Sequence, residues 1–198
     1  NKNLWSLKLK EIRGFNVMWN DLEMEIGICN KCILERTRKN AIPGKGNKQS
    51  KILFIMDNIS EDEDVKGDLL LDKKGEYLKK FLEYSKLDIS KCYFTTLTKC
   101  SSHGELIEKD NVDKCFDFLI GQIAILNPKY IITVGENPTK KLLNTKEDIY
   151  NMVGKIYDYI GDIKVIPIYN KAYLFKATDK EKWQLIKIFE KLNKEGIE

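Results

Sequence analysis

The chain has 198 residues, 42% of them hydrophobic and 32% charged, with 34 Lys and Arg against 30 Asp and Glu. That length can bury a sizeable single core, the composition is that of a soluble globular protein, and no apolar run approaches the roughly 20 residues that a bilayer-spanning helix needs. The net charge of +4 permits a nucleic-acid partner without requiring one. With only three arginines, Arg13, Arg36 and Arg38, that charge is nearly all lysine, which suits loose phosphate contact better than bidentate reading of bases.

In chain order, residues 1–17 read as an N-terminal extension with a short helix over 4–12, and residues 18–198 as one domain. The first residues lack an apolar h-region, which predicts no signal peptide and a cytoplasmic location. An apolar helical run over 18–28 leads into Cys29-x-x-Cys32. Residues 41–50 form a loop by their Gly, Pro and Asn content. Residues 51–56 are a continuous apolar run that predicts a buried strand, followed by an acidic loop over 57–64. The spacing of Leu78, Phe81, Leu82 and Ser85 predicts an amphipathic helix over 76–86. Residues 93–98 read as a strand, 110–127 as a helix stopped by Pro128, and 129–134 as another buried strand. Pro138 opens a short helix to residue 143, Gly161-Asp162 marks a hairpin between 155–160 and 163–168, and 179–193 is an amphipathic helix. Strands alternating with helices predict an α/β fold, a three-layer α/β/α arrangement around a central, mainly parallel sheet. Ligands in such sheets bind at the carboxyl ends of the strands, here the loops after Met56, Thr98, Val134 and Ile168.

Five cysteines punctuate this pattern. Cys29 and Cys32 pair as C-x-x-C, Cys100 closes a predicted strand, and Cys115 falls in the first turns of the next helix. Cys92 has no partner at ligand spacing and reads as a core filler. In a reducing compartment clustered cysteines bind metal or do redox chemistry more often than they form disulfides. No histidine stands near the pair, so the site is all-cysteine. Zinc sites usually use two C-x-x-C knuckles, and here the second pair is split by 14 residues. Dispersed ligands are tolerated by a 4Fe-4S cluster, which is the preferred reading, with zinc the alternative.

The order of these features resembles the iron–sulfur (family 4) uracil-DNA glycosylases. Those chains carry C-x-x-C, R-x-x-V-x-x-G-x-G, an apolar strand into G-E-A-P-G-x-x-E-D, P-F-V-G-x-A-G, T-N-x-x-K-C, a further cysteine, a strand ending L-G, and a late H-P-A-x-L-x-R. The matching stretches are Cys29-x-x-Cys32, 38–46, 52–64, 67–75, 95–100, Cys115, 131–135 and 169–176. The resemblance covers about residues 20–190, and Lys99-Cys100 with the cysteine spacing is its most specific part. It implies a four-stranded parallel sheet and a 4Fe-4S cluster on Cys29, Cys32, Cys100 and Cys115.

The loops depart from the family pattern. A uracil glycosylase needs a group that positions water and eases the sugar cation, a donor for the departing base anion, an aromatic platform and an amide that reads the everted base. By the resemblance, Asp57 keeps a carboxylate at the glutamate position, but the Pro and Gly of that loop are gone. Leu70 stands where the stacking Phe would be, forfeiting roughly 1–3 kcal/mol of stacking. Thr96 replaces the reading Asn, and its hydroxyl cannot match an imide edge bidentately. Asn170 replaces the catalytic His, losing a donor typically worth about 10²–10³ in rate unless the amide substitutes for it. Asn58 and Asn170 also fall where the mismatch-specific uracil/thymine glycosylases carry Asn. Tyr169, Tyr173, Lys171 and Lys176 fall in the segment that inserts beside the base in the family.

Other groups have readings of their own. Glu61, Asp62, Glu63 and Asp64 read as a solvated acidic loop, Glu63 and Asp64 matching the family's E-D, and His103 as an exposed loop residue. Gly44-x-Gly46 with Lys45 and Lys48 is a candidate DNA backbone clamp. Lys140 and Lys141, placed near a helix N-terminus, suit phosphate. Together these readings predict a monomeric DNA-binding protein of the glycosylase superfamily whose excision activity is weakened or lost. The alternative is an active glycosylase on uracil or another damaged base, with Asp57 positioning water and Asn170 stabilising the leaving base.

Overall fold

A computed structural model describes residues 19–194. The predicted extension over 1–17 and its helix over 4–12 lie outside the described residues. Helices α1 (Trp19–Gly27), α2 (Glu61–Lys66), α3 (Lys73–Tyr84), α4 (Lys109–Leu126), α5 (Glu136–Leu143), α6 (Ile149–Met152), α7 (Lys171–Lys176) and α8 (Asp179–Lys194) surround strands β1 (Lys45–Gly46), β2 (Ile52–Met56), β3 (Cys92–Thr96), β4 (Tyr130–Val134), β5 (Tyr157–Asp158) and β6 (Lys164–Ile168). No helix among the described residues is long and apolar enough to cross a membrane.

The strands form one sheet in the order β1-β3-β2-β4-β6-β5. The expected four parallel strands are its centre, β3, β2, β4 and β6. The two-residue strands β1 and β5 extend it antiparallel at the edges. The register is flush: Met56 pairs with Thr96 on one side and Val134 on the other, and Val134 with Ile168. All four parallel strands therefore end at one level.

Strand alternation sorts the apolar residues into two layers. Ile52, Phe54 and Met56 pack with Leu78, Phe81 and Leu82 of α3 and Leu185, Ile186 and Phe189 of α8. Leu53 and Ile55 point the other way, onto Phe116, Leu119, Ile120 and Ile123 of α4. Both faces of β2 are buried, which is why its sequence is a continuous apolar run. α1 lies outside α4, where Leu22 and Ile26 meet Phe118.

Two expectations are corrected. The acidic stretch after β2 is not a solvated loop: it forms α2, started by a capping box in which Ser60 and Glu63 bond reciprocally. Glu61 and Asp62 face water, but Glu63 and Asp64 are fully buried. Lys140 and Lys141 lie in the last turn of α5, not at its start, because the helix begins at Glu136, ahead of Pro138.

Candidate functional site

The flush strand ends open into a groove lined by the residues after β2, β3, β4 and β6. Asp57, Asn58, Asp72, Ser101, Asn170 and Lys171 all face it. Asp57 leaves β2 half-buried, and Asn137 Nδ2, in the first turn of α5, donates to its Oδ2 at 2.8 Å. Burial pushes the Asp57 pKa up, opposed by the Asn137 bond and the charge of Lys171. Asn137 carries no signal in the sequence; only the register of β2 beside β4 brings it to Asp57.

Asn170 is the N-cap of α7, its Oδ1 accepting the Tyr173 N–H at 2.7 Å. With the oxygen committed to the cap, the amide NH₂ is turned away from the helix. Gly135 makes this arrangement possible. It has φ +107°, and a Cβ there would lie 2.9 Å from Cβ of Asn170, so the turn after β4 passes this close only without a side chain. Lys171 is held in the groove wall, its Nζ 3.4 Å from Asp72 and 3.6 Å from Glu63.

Asp57, Asn58 and Asn170 are thus brought together, but the residues expected to hold a base are not. Leu70 sits in a left-handed turn (φ +61°) with its N–H on Glu63 Oε1 at 2.6 Å, and its side chain enters the core instead of the groove. Thr96 is the last residue of β3 and fully buried, its hydroxyl without a hydrogen-bond partner among the described residues. Tyr169 packs on the core, its ring centroid 4.6 Å from Tyr173 and 6.1 Å from Tyr150. No aromatic side chain among the described residues lines the groove, and its charged lining is Asp57, Glu61, Asp62 and Asp72 against Lys74 and Lys171.

The lysines expected on DNA are dispersed. Lys45 pairs with Asp68. The Gly46 position approaches β3 so closely that a Cβ would lie 2.2 Å from the Cys92 carbonyl oxygen, so this glycine serves sheet packing rather than a phosphate clamp. Lys48 follows at the N-terminal end of the parallel strands, opposite the groove, and pairs with Glu23 at 2.7 Å. Lys140 pairs with Glu136 one turn back. Lys176 is exposed at the end of α7.

Glu63 and Asp64 act as buried anchors. Glu63 ties Ser60 to Leu70. Asp64 accepts the backbone N–H of Lys39 and of Asn40, each at 2.9 Å, and His103 Nε2 stands 3.4 Å away. His103 is therefore half-buried against a carboxylate rather than an exposed loop residue.

Cys29, Cys32, Cys100 and Cys115 line one pocket, with Ile26 and Phe118 as its apolar floor. Cys29 follows the end of α1, Cys32 caps the 3₁₀ turn Ile33–Arg36, Cys100 follows β3 by four residues, and Cys115 is in the second turn of α4. All four are free thiols. Arg38 Nη1 donates to Cys100 Sγ at 3.2 Å, and the Lys99 N–H to Cys115 Sγ at 3.3 Å. Burial pushes Cys100 up to about 11 and raises Cys115 as well. Lys31, Arg38, Lys99 and Lys114 surround the sulfurs, against one carboxylate, Glu35. Lys99 is buried, its ammonium donating to Thr95 Oγ1 and the Thr96 carbonyl at 2.6 Å each, and burial lowers it to about 8. Four sulfurs, N–H donors aimed at them and a cationic surround fit an anionic, thiolate-ligated centre. Among the described residues no three His, Cys, Asp or Glu side chains converge tightly enough for a single metal ion. Cys92 is buried outside this pocket and pushed up to about 12 by desolvation.

Residues 43–193 match the family model of the uracil DNA glycosylase superfamily. Three type-4 uracil-DNA glycosylases are similar over most of their length. That of Archaeoglobus fulgidus is 29% identical over 83% of this chain and 87% of its own. That of Saccharolobus solfataricus is 34% identical over 75% and 73%, and that of Thermotoga maritima 28% identical over 77% and 81%. With the parallel sheet, the groove at its strand ends and the gathered cysteines, these matches make the chain a member of the uracil DNA glycosylase superfamily, on its type-4 branch.

Proposed function

We propose that this chain binds DNA at the strand-end groove, holds a 4Fe-4S cluster on Cys29, Cys32, Cys100 and Cys115, and excises uracil weakly or not at all. The observation that carries the weakened activity is the lining of the groove. It keeps the polar groups of a glycosylase but has no aromatic platform for an everted base among the described residues, and carboxylates outnumber its lysines. Stacking on such a platform is worth roughly 1–3 kcal/mol, and a carboxylate rim repels the phosphates that must approach it.

The cluster, when bound, would cross-link three chain segments, and the dispersal of the cysteines over those segments favours it over a zinc ion, whose four-cysteine sites usually use two C-x-x-C knuckles. The chemistry left to the chain's own residues is limited. Asp57, oriented by Asn137, can hold a water at the anomeric carbon and ease positive charge on the sugar. The outward NH₂ of Asn170 can donate to the oxygen of a departing base. These same groups favour a second reading, an active glycosylase on another damaged or mismatched base.

The test is an abasic-site assay on uracil, G·U, G·T and hypoxanthine oligonucleotides beside a binding assay at two salt concentrations. Binding that weakens steeply with salt, with no abasic product at enzyme excess, supports the first reading. Product that disappears in Asp57→Asn and Asn170→Ala establishes the second instead.

A further inference from the structure

α3 and α7 both start at the groove, where Lys74 and Lys171 line it, and pack along one another away from it. Tyr77 and Phe175 meet edge-on between them, centroids 5.1 Å apart. Beyond that contact α3 and α8 enclose a second cleft, of about 450 Å³, whose lining includes Tyr77, Tyr84 and Trp183 with two lysines, Lys80 and Lys182, against one carboxylate, Asp179. Three rings in or beside it stay open to water: Tyr84 is 69% exposed, Trp183 54% and neighbouring Phe175 55%. Lys182 Nζ stands 5.6 Å from the Tyr77 ring centre, at cation–π range.

The charge on these helices is equally one-sided. α3, α7 and α8 hold eleven lysines and five carboxylates. The whole chain holds 34 Lys and Arg and 30 Asp and Glu, so the remainder is net acidic. One of the five carboxylates, Glu181, is already bonded to Thr178 and Tyr173. A polyanion is therefore attracted to this face.

Ring faces interleaved with ammonium groups match unpaired bases on a phosphate chain. A duplex hides its base faces in its own stack. An acidic peptide satisfies the lysines but leaves the rings of Tyr84 and Trp183 in water. We propose that the α3–α8 cleft binds single-stranded DNA, with bases stacked on Trp183 and Tyr84 and phosphates held by Lys80 and Lys182. This inference rests on the DNA-binding reading above and adds to it a strand site separate from the base groove.

The experiment titrates the whole protein with oligothymidylate, following tryptophan fluorescence and anisotropy at two salt concentrations, beside an unmodified duplex. Wild-type protein is expected to bind the oligothymidylate with quenching. Trp183→Ala is expected to weaken that binding about tenfold, within the range set by one lost stack, and to leave duplex binding and the melting temperature unchanged. Lys182→Gln is expected to reduce the salt slope by about 0.7, one phosphate contact to a single strand. It serves as the second variant if Trp183→Ala fails to fold. Unchanged oligothymidylate affinity in Trp183→Ala and Tyr84→Ala, or in Lys182→Gln if the aromatic variants do not fold, overturns the inference. So does equal competition by polyglutamate with no quenching, which assigns the cleft to an acidic protein. A wild type that binds duplex alone sinks only the strand site, whereas one that binds neither form sinks the DNA-binding reading as well.

Discussion

The cysteine pocket and the strand-end groove adjoin in the chain, Cys100 lining one and Ser101 the other, yet they are specified in different ways. The pocket depends on four copies of one side chain brought together from α1's end, the turn after it, the segment after β3 and α4. The groove depends on backbone: a flush register, a glycine without a Cβ and a helix cap that turns an amide. A site made of identities tolerates drift in the backbone around it, whereas a site made of close approaches tolerates drift in almost none of its neighbours. The segments around the groove are also where this chain departs from the motifs of the family that it resembles, at Leu70, Thr96 and Asn170.

The sharpest test of that contrast is Cys100→Ala. If the four thiolates hold a cluster, iron and sulfide analysis finds the variant empty, and its melting temperature falls further than in any variant below, since metal binding couples directly to folding. Asp64→Ala comes next. It removes the buried carboxylate that accepts two backbone N–H groups just beyond Arg38, the donor to Cys100, and losing such charge-assisted bonds costs about 3 kcal/mol by urea unfolding. A loss below about 1 kcal/mol would mean that this part of the pocket wall holds itself in place. On the groove side, Gly135→Ala forces a left-handed residue against Asn170 and is expected to cost about 2 kcal/mol. An unchanged midpoint would show that the close approach can relax. Asn170→Ala removes a cap worth about 1 kcal/mol; Asn170→Asp, which keeps the capping oxygen but not the NH₂, separates the cap from the donor in any excision assay.

The smallest effect is a pH dependence. The Asp57 carboxyl is raised by burial, so its neutral form is favoured in the folded state. Its contribution to stability is fully present below the ordinary carboxylate pKa and is lost as pH rises through the raised one. Asp57→Asn is therefore expected to melt higher than wild type at neutral pH, with the difference shrinking as the medium is acidified. A difference independent of pH would remove the charge as its cause.

Much of this is legible in the sequence because it rests on period and identity. The apolar run that forms β2, the stop at Pro128, the hairpin signal before β6 and the cysteine spacing each express one local rule. The rest depends on approach between distant segments. Asn137 meets Asp57 only through strand pairing. The acidic stretch after β2 reads as solvated because its charges are consecutive; the helix splits them, two outward and two into the core. Leu70 aligns with a stacking ring, but a left-handed turn fastened by Glu63 aims it inward, and no rule of composition carries that direction. Lys48 stands close to Lys45 in the chain, and the antiparallel course of β1 carries it to the far end of the sheet.

The level ending of the parallel strands has a wider consequence. Asp57, Leu97, Gly135 and Tyr169 leave the sheet as a single row, like the teeth of a comb, so residues from four separate segments meet over one groove. Side chains that face the groove can be exchanged there while the layers beneath stay in place. One residue added within β2, by contrast, would exchange the sides of Phe54 and Ile55 and turn the core inside out. Such an architecture lets a lineage rewrite its chemistry cheaply at the tips while its framework remains fixed.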